Sequence, residues 1–232
     1  MRAQLNGYVV ADSDAEIYRY FGYSVCCPND IRNALANTPT GDTLTLEINS
    51  GGGSMFSGYE MYSILRASEV TTEAEIQSIA GSAMSVAICG FDTVKASPVA
   101  QVMIHDPSIL TIGDNTEHQK SIAALDSFVQ SVLNVYQLKC KDKTSRDELR
   151  SMMQAESWLD AKKAMETGFV DSILYDDEGI IANQVVMCAQ NGIRAMMNTL
   201  PDVTLLRKQM ENTKNPDLAF QSARLKFLSM QN

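Results

Sequence analysis

Thr43-Leu44-Thr45-Leu46-Glu47-Ile48-Asn49 alternates apolar and polar side chains and is rich in strand formers, so it predicts a strand. Ser50-Gly51-Gly52-Gly53-Ser54 ends the run, and Tyr59, Tyr62, Ile64 and Leu65 then recur near helical spacing up to Ala67. The same unit follows at once. Val70 to Ile79 reads as a strand, Ala80-Gly81-Ser82 as a small-residue turn, and residues 83–90 as an apolar helix. Strand, tight turn and helix in succession imply an α/β fold built of βαβ units around a largely parallel, buried sheet with right-handed connections.

The pattern extends in both directions. Residues 7–10 and 16–21 read as short strands, the latter because Glu16-Ile17-Tyr18-Arg19-Tyr20-Phe21 is aromatic and β-branched. Pro28-Asn29-Asp30 opens a helix to about residue 37. Downstream, residues 92–96 and 100–104 read as strands around Ser97-Pro98. A long amphipathic helix covers about 116–140, with Ile122, Leu125, Phe128, Val129, Val132, Leu133 and Tyr136 along one stripe. Short helices are expected from Thr144-Ser145 and from Asp160-Ala161, the second ended by Gly168, and residues 169–174 read as a last strand. Residues 187–232 have few strand formers and many Met, Gln and Asn, with an N-cap signal at Asn215-Pro216. The expected division is a catalytic domain over 1–180 and a partly helical tail over 181–232.

Composition narrows the function. The net charge of −9 argues against a nucleic-acid partner, which needs clustered Lys and Arg. No apolar run approaches a membrane span, and Met1 to Asn6 lacks the apolar stretch of a signal peptide. The five cysteines, Cys26, Cys27, Cys89, Cys140 and Cys188, form no CxxC pair, and no His stands at metal-ligand spacing. They read as reduced thiols of a cytoplasmic protein with no cofactor and no metal. Cys89, inside an apolar helix pattern, reads as a small buried hydrophobe rather than a nucleophile.

The chemistry centres on Ser82 and His105. Ser82 sits between a strand and an apolar helix, flanked by Ala80, Gly81 and Ala83. Such a turn exposes a hydroxyl and offers the free N–H groups of a helix start to a developing oxyanion. A serine there can equally be an N-cap, and Ser85, one turn further on, is a rival nucleophile. The Gly51-Gly52-Gly53 run lets a backbone approach a ligand closely, but no Lys-Ser/Thr follows to make a P-loop. There are two histidines. His105 closes an apolar strand before Asp106-Pro107, where sites gather in parallel sheets, while His118 lies among polar residues at a helix start. G-x-S-x-G is absent.

Four motifs in order, Asn49-Ser50-Gly51-Gly52-Gly53, Ala80-Gly81-Ser82-Ala83-Met84-Ser85, Met103-Ile104-His105-Asp106-Pro107 and Ala164-Met165-Glu166-Thr167-Gly168-Phe169-Val170-Asp171-Ser172-Ile173, resemble the Clp protease proteolytic subunit family. The nearest variant in kind is the head maturation (prohead) protease of phages and prophages. The resemblance spans about residues 16–176 and implies a crotonase-like ββα spiral carrying a Ser-His-acid triad. It implies Ser82 as nucleophile, His105 as general base, and the Gly52 and Ala83 amides as oxyanion hole. Gly51 stands where the family has proline. Glu156 takes the frame of the family's aspartate, with Asp160 and Asp106 as alternatives and Asp171 as a structural acid.

The resemblance further implies peptide or protein substrates, with cleavage ATP-independent or assisted by an AAA+ unfoldase. It implies a homo-oligomeric ring, a heptamer or double heptamer joined through helix 116–140, and capsid or portal proteins as partners. General protein degradation, a catalytically silent capsid scaffold and an acyl-CoA enzyme on the same spiral are the rival functions. A Ser-Lys peptidase is disfavoured by His105.

Overall fold

In a parallel sheet covered by helices, strands lose their polar face and become apolar throughout their centres. Leu44, Leu46, Ile48, Ala74 and Ile76 follow that rule and are fully buried. A computed structural model describes residues 1–141, 143–176 and 200–211. The elements are β1 (Arg2–Val9), α1 (Asp12–Tyr20), β2 (Val25–Cys26), α2 (Pro28–Ala36), β3 (Thr43–Gly53), α3 (Met55–Arg66), β4 (Thr71–Gly81) and α4 (Ala83–Ile88). They continue with β5 (Thr93–Ala96), β6 (Gln101–Ile104), α5 (Asn115–Cys140), α6 (Arg146–Gln154), β7 (Ser157–Asp160), α7 (Ala161–Thr167), β8 (Ser172–Ile173) and α8 (Val203–Glu211).

The sheet order is β2-β1-β3-β4-β5-β8, with β6 joining β4 and β7. All pairings are parallel except β6 with β7. The sheet forks at β4. Its first half, Glu73 to Ile76, pairs β5, and its end, Ile79 to Gly81, pairs β6. Gly81 is therefore level with Met103, and the residues that follow both strands emerge side by side.

α4 is buried on every side, as expected of a helix at the centre of a domain. Its close approach to α3 requires Gly58, where a Cβ would lie 2.6 Å from the Ala83 carbonyl oxygen. Met84 and Ile88 are fully buried, and each contributes about 1.5–3 kcal/mol by leaving water. Ser145 and Glu148 close a capping box on α6, and Asp160 caps α7 through the Lys163 N–H.

Several elements differ from expectation. Residues 16–21 form no strand but most of α1. Aromatic content suggested a strand, yet Ile17, Tyr18 and Phe21 bury one helical face, and Asp12 and Asp14 favour a helix in its first turn. The glycine run is not a loop, because β3 continues through it to Gly53 in register with Val9. Of residues 169–174, Ser172 and Ile173 form β8, the flanking Asp171 and Leu174 N–H groups also donate to β5 at Val94 and Ala96, and Phe169 and Val170 plug the core. The antiparallel strand β7 has too short a run to be read from sequence.

A second, smaller core joins Val10, Ile17, Tyr18, Phe21 and Val25 to Leu206 of α8. The Tyr18 hydroxyl donates to the Pro201 carbonyl at 3.0 Å, and Arg207 donates to the Ser13 carbonyl at 2.8 Å. The helix signal at Asn215-Pro216 lies outside the described residues. Among the described residues no helix is long and apolar enough to cross a membrane.

Candidate active site

Ser82 stands at the sharp corner between β4 and α4 with φ 51° and ψ −121°. A non-glycine residue in that region costs on the order of 1–3 kcal/mol and persists only where its surroundings fix it. The surroundings here do so. The Ser82 N–H donates to the Met103 carbonyl at 2.8 Å, and the Ser82 carbonyl accepts from the Ser85 N–H at 2.9 Å. His105 follows β6, level with this corner, and its Nε2 lies 2.7 Å from Ser82 Oγ. The sheet fork at β4 thus brings the two residues into hydrogen-bond contact across 23 positions of sequence.

Gly52 lies beside them. Its φ is +99°, and a Cβ there would lie 2.7 Å from Ser82 Cβ and 2.9 Å from the Ala83 nitrogen, so only glycine fits. The Gly52 N–H donates to Ser50 Oγ at 3.2 Å. The Ala83 amide is the first of α4 and has no carbonyl one turn back to pair with.

A cleft of about 70 Å³ opens beside Ser82, Ala83 and His105. Met55, Val86, Pro107 and Val132 supply apolar wall, and Tyr59, Ser108 and Tyr136 line it as well. Ser85 does not face solvent. It is fully buried, donates from Oγ to the Ser82 carbonyl at 2.6 Å, and lies 2.7 Å from the Tyr136 hydroxyl.

Glu156 is half-buried and also adopts a positive φ, 51°, directly after α6. The β6–β7 ladder pairs Gln101 with Asp160 and Ile104 with Ser157. The ladder ends there, with Glu156 one residue before β7 and His105 one residue after β6. The other candidate acids are engaged elsewhere. Asp106 accepts from Arg150 at 2.6 Å, Asp160 caps α7, and Asp171 accepts from the Val94 N–H at 2.7 Å and from Lys139 at 2.9 Å. His118 is exposed, with Nδ1 3.4 Å from Thr111 Oγ1.

Cys26, Cys27, Cys89 and Cys140 are free and buried. Burial pushes the Cys26 and Cys140 thiols up to about 12, and the Cys89 thiol higher still. A buried thiol so far from ionisation is a poor nucleophile at neutral pH. Cys188 lies outside the described residues. Among the described residues no group of three or more His, Cys, Asp or Glu could hold a metal ion.

Sequence reasoning missed the Ser85–Tyr136 contact and the cleft wall supplied by Met55 and Tyr59. Tyr136 read as one member of an apolar stripe. The general tendency of a buried tyrosine hydroxyl to find a partner was the available signal.

The family model described as Clp protease matches residues 33–177. The ATP-dependent Clp protease proteolytic subunit 1 of Chlamydia muridarum is 27% identical over 142 residues, covering 60% of this chain and 73% of the relative. The ATP-dependent Clp protease proteolytic subunit 2 of Corynebacterium diphtheriae is 28% identical over 151 residues, covering 64% and 74% respectively. The corresponding subunit 1 of Salinibacter ruber is 27% identical over 136 residues, covering 56% of each chain. With a strained serine at a strand–helix corner, a histidine bonded to it and a family match over most of the chain, the protein belongs to the Clp protease family, whose members are serine peptidases.

Proposed function

We propose that this chain is a serine endopeptidase that works through an acyl-enzyme on Ser82. The observation that carries the reading is the 2.7 Å contact between His105 Nε2 and Ser82 Oγ at a strained corner beside a cleft. With the ring proton on Nδ1, the Ser82 hydroxyl donates to Nε2. As Oγ attacks the scissile carbonyl carbon, His105 takes the hydroxyl proton. It then delivers that proton to the leaving amine, and water enters by the reverse sequence to release the acyl group.

The Ala83 amide stabilises the tetrahedral oxyanion. The Gly52 amide joins it by giving up its 3.2 Å bond to the neutral Ser50 hydroxyl for a charged acceptor, a stronger partner. Glu156, which directly precedes β7 as His105 directly follows the paired strand β6, orients the imidazole and stabilises its charged form. The apolar wall of Val86, Val132 and Met55 suits an apolar side chain of the substrate. Mapping a fluorophosphonate adduct to its residue by mass spectrometry tests the assignment, with Ser82 as the expected residue.

The narrower role proposed is peptide-bond cleavage during phage head maturation, and it rests on the sequence motifs. General degradation with an AAA+ unfoldase draws equal support from the names of the relatives. Assembly into a ring, a heptamer or double heptamer, is supported by exposed apolar side chains before and on α5, Leu110 at 92%, Ile112 at 88% and Ile122 at 59%. Native mass spectrometry reads the ring size directly. A cytoplasmic setting and the division at residue 180 stay part of this proposal. The shared core of α1 and α8 favours docking of the 200–211 segment on the catalytic domain.

A further inference from the structure

Ser85 and Tyr136 form a buried pair that the mechanism above leaves unused. Ser85 is 0% exposed and Tyr136 1% exposed, and they come from helices 51 residues apart in sequence. The direction of their hydrogen bonds follows from counting protons. Ser85 Oγ has one proton, and at 2.6 Å from the Ser82 carbonyl it is spent there. The 2.7 Å contact with Tyr136 therefore has the phenol as donor and Ser85 Oγ as acceptor. The Tyr136 ring is itself held edge-on against Phe169 at 5.0 Å and 81°. Burial raises the phenol's pKa far above its ordinary value, which keeps it protonated as a donor.

The chain Tyr136 to Ser85 to Ser82 carbonyl ends on one particular peptide group. The Ser82 C=O and the Ala83 N–H belong to the same planar trans unit and point in opposite directions. Fixing the carbonyl inward therefore fixes the amide outward. On the opposite side of Ser82, its N–H is tied to Met103 at 2.8 Å, so the strained corner is held on both flanks.

We propose that Ser85 and Tyr136 are positioning residues that aim the Ala83 N–H at the developing oxyanion by clamping the Ser82 carbonyl. The inference rests on the reading of Ser82 as nucleophile. The clamp acts on a bond that strengthens only in the transition state, so its loss lowers kcat and leaves KM unchanged.

The test uses the full chain and its S85A, Y136F and S85A/Y136F variants. Thermal melting, kcat and KM on an apolar-site peptide, the Ser82 fluorophosphonate labelling rate and the affinity of a peptide boronate are measured. Y136F is nearly isosteric and serves even if S85A fails to fold. In S85A and the double variant, kcat, labelling rate and boronate affinity fall together by roughly 10–100-fold, below the full loss of an oxyanion donor, with KM within about twofold. Y136F shows the same pattern at roughly 3–10-fold, because Ser85 keeps its bond to the carbonyl but loses its orienting donor. The double variant melts above S85A, because it leaves no buried phenol without a partner. Folded variants with wild-type kcat and labelling overturn the inference. So does a change confined to KM, which would place Tyr136 in the cleft wall alone. A wild-type chain that is not labelled at Ser82 fails the nucleophile reading instead, and the two failures are distinct.

Discussion

Two non-glycine residues of the candidate site share a φ of 51°, Ser82 and Glu156, and they are built differently. Ser82 is held by bonds to β6 on its amide and to Ser85 on its carbonyl, with the buried helix α4 behind it. Glu156 follows α6, its N–H donates to the Met153 carbonyl at 3.1 Å, and its neighbours Gln154 and Ala155 are exposed. The Ser82 corner is fixed by long-range contacts and the Glu156 corner by a local turn. Strain persists where packing over-determines it, so the first corner is the rigid part of the site and the second the adjustable one.

That contrast orders the expected effects. Ser82→Ala abolishes turnover, a loss of roughly 10³-fold or more in kcat, while the melting temperature rises or holds because alanine does not add bulk to the corner. His105→Ala falls as far, and the double variant falls no further, because the two act as one unit. Glu156→Gln loses about 10²-fold in kcat at unchanged KM, measured on the same peptide. A loss near 10⁴-fold, the scale of removing a firmly built triad acid, would erase the difference between the corners. Ser50→Ala, which frees the Gly52 N–H, changes kcat by no more than about threefold. A loss approaching that of Glu156→Gln would mean that Ser50 holds the corner rather than competing for the amide.

One further effect, on stability rather than turnover, lies away from the site. Cys26 and Cys140 have folded-state pKa values raised to about 12, so the folded chain retains protons that the unfolded chain releases above about pH 9. Stability attributable to these thiols is complete below pH 9 and declines as pH rises toward 12, as urea melts between pH 8 and pH 10.5 would record.

The alternation of Thr43 to Asn49 and its repetition made the parallel α/β sheet legible, because burial leaves a period in the sequence. The helix read at 116–140 is α5, Asn115–Cys140. The strand read at 16–21 failed because Ile17, Tyr18 and Phe21 suit either a strand or one helix face, and only packing against α8 and β2 separates the two. Ser82 and His105 could be singled out because the chain has two histidines, and the fold brings the two side chains to 2.7 Å. The Gly52 N–H bond to Ser50 and the Tyr136–Ser85 contact were not legible, since hydrogen bonds formed by folding leave no periodic trace. Glu156 could be placed by frame alone, and its positive φ gives the sequence no signal, as glutamate is not a residue that marks such turns.

The most direct test of the central claim is covalent labelling of the full wild-type chain by a fluorophosphonate, followed by peptide mapping. One adduct is expected, on Ser82, with labelling abolished in Ser82→Ala and slowed by at least about 10²-fold in His105→Ala. An adduct on Ser85, or peptidase activity that survives Ser82→Ala, would contradict it.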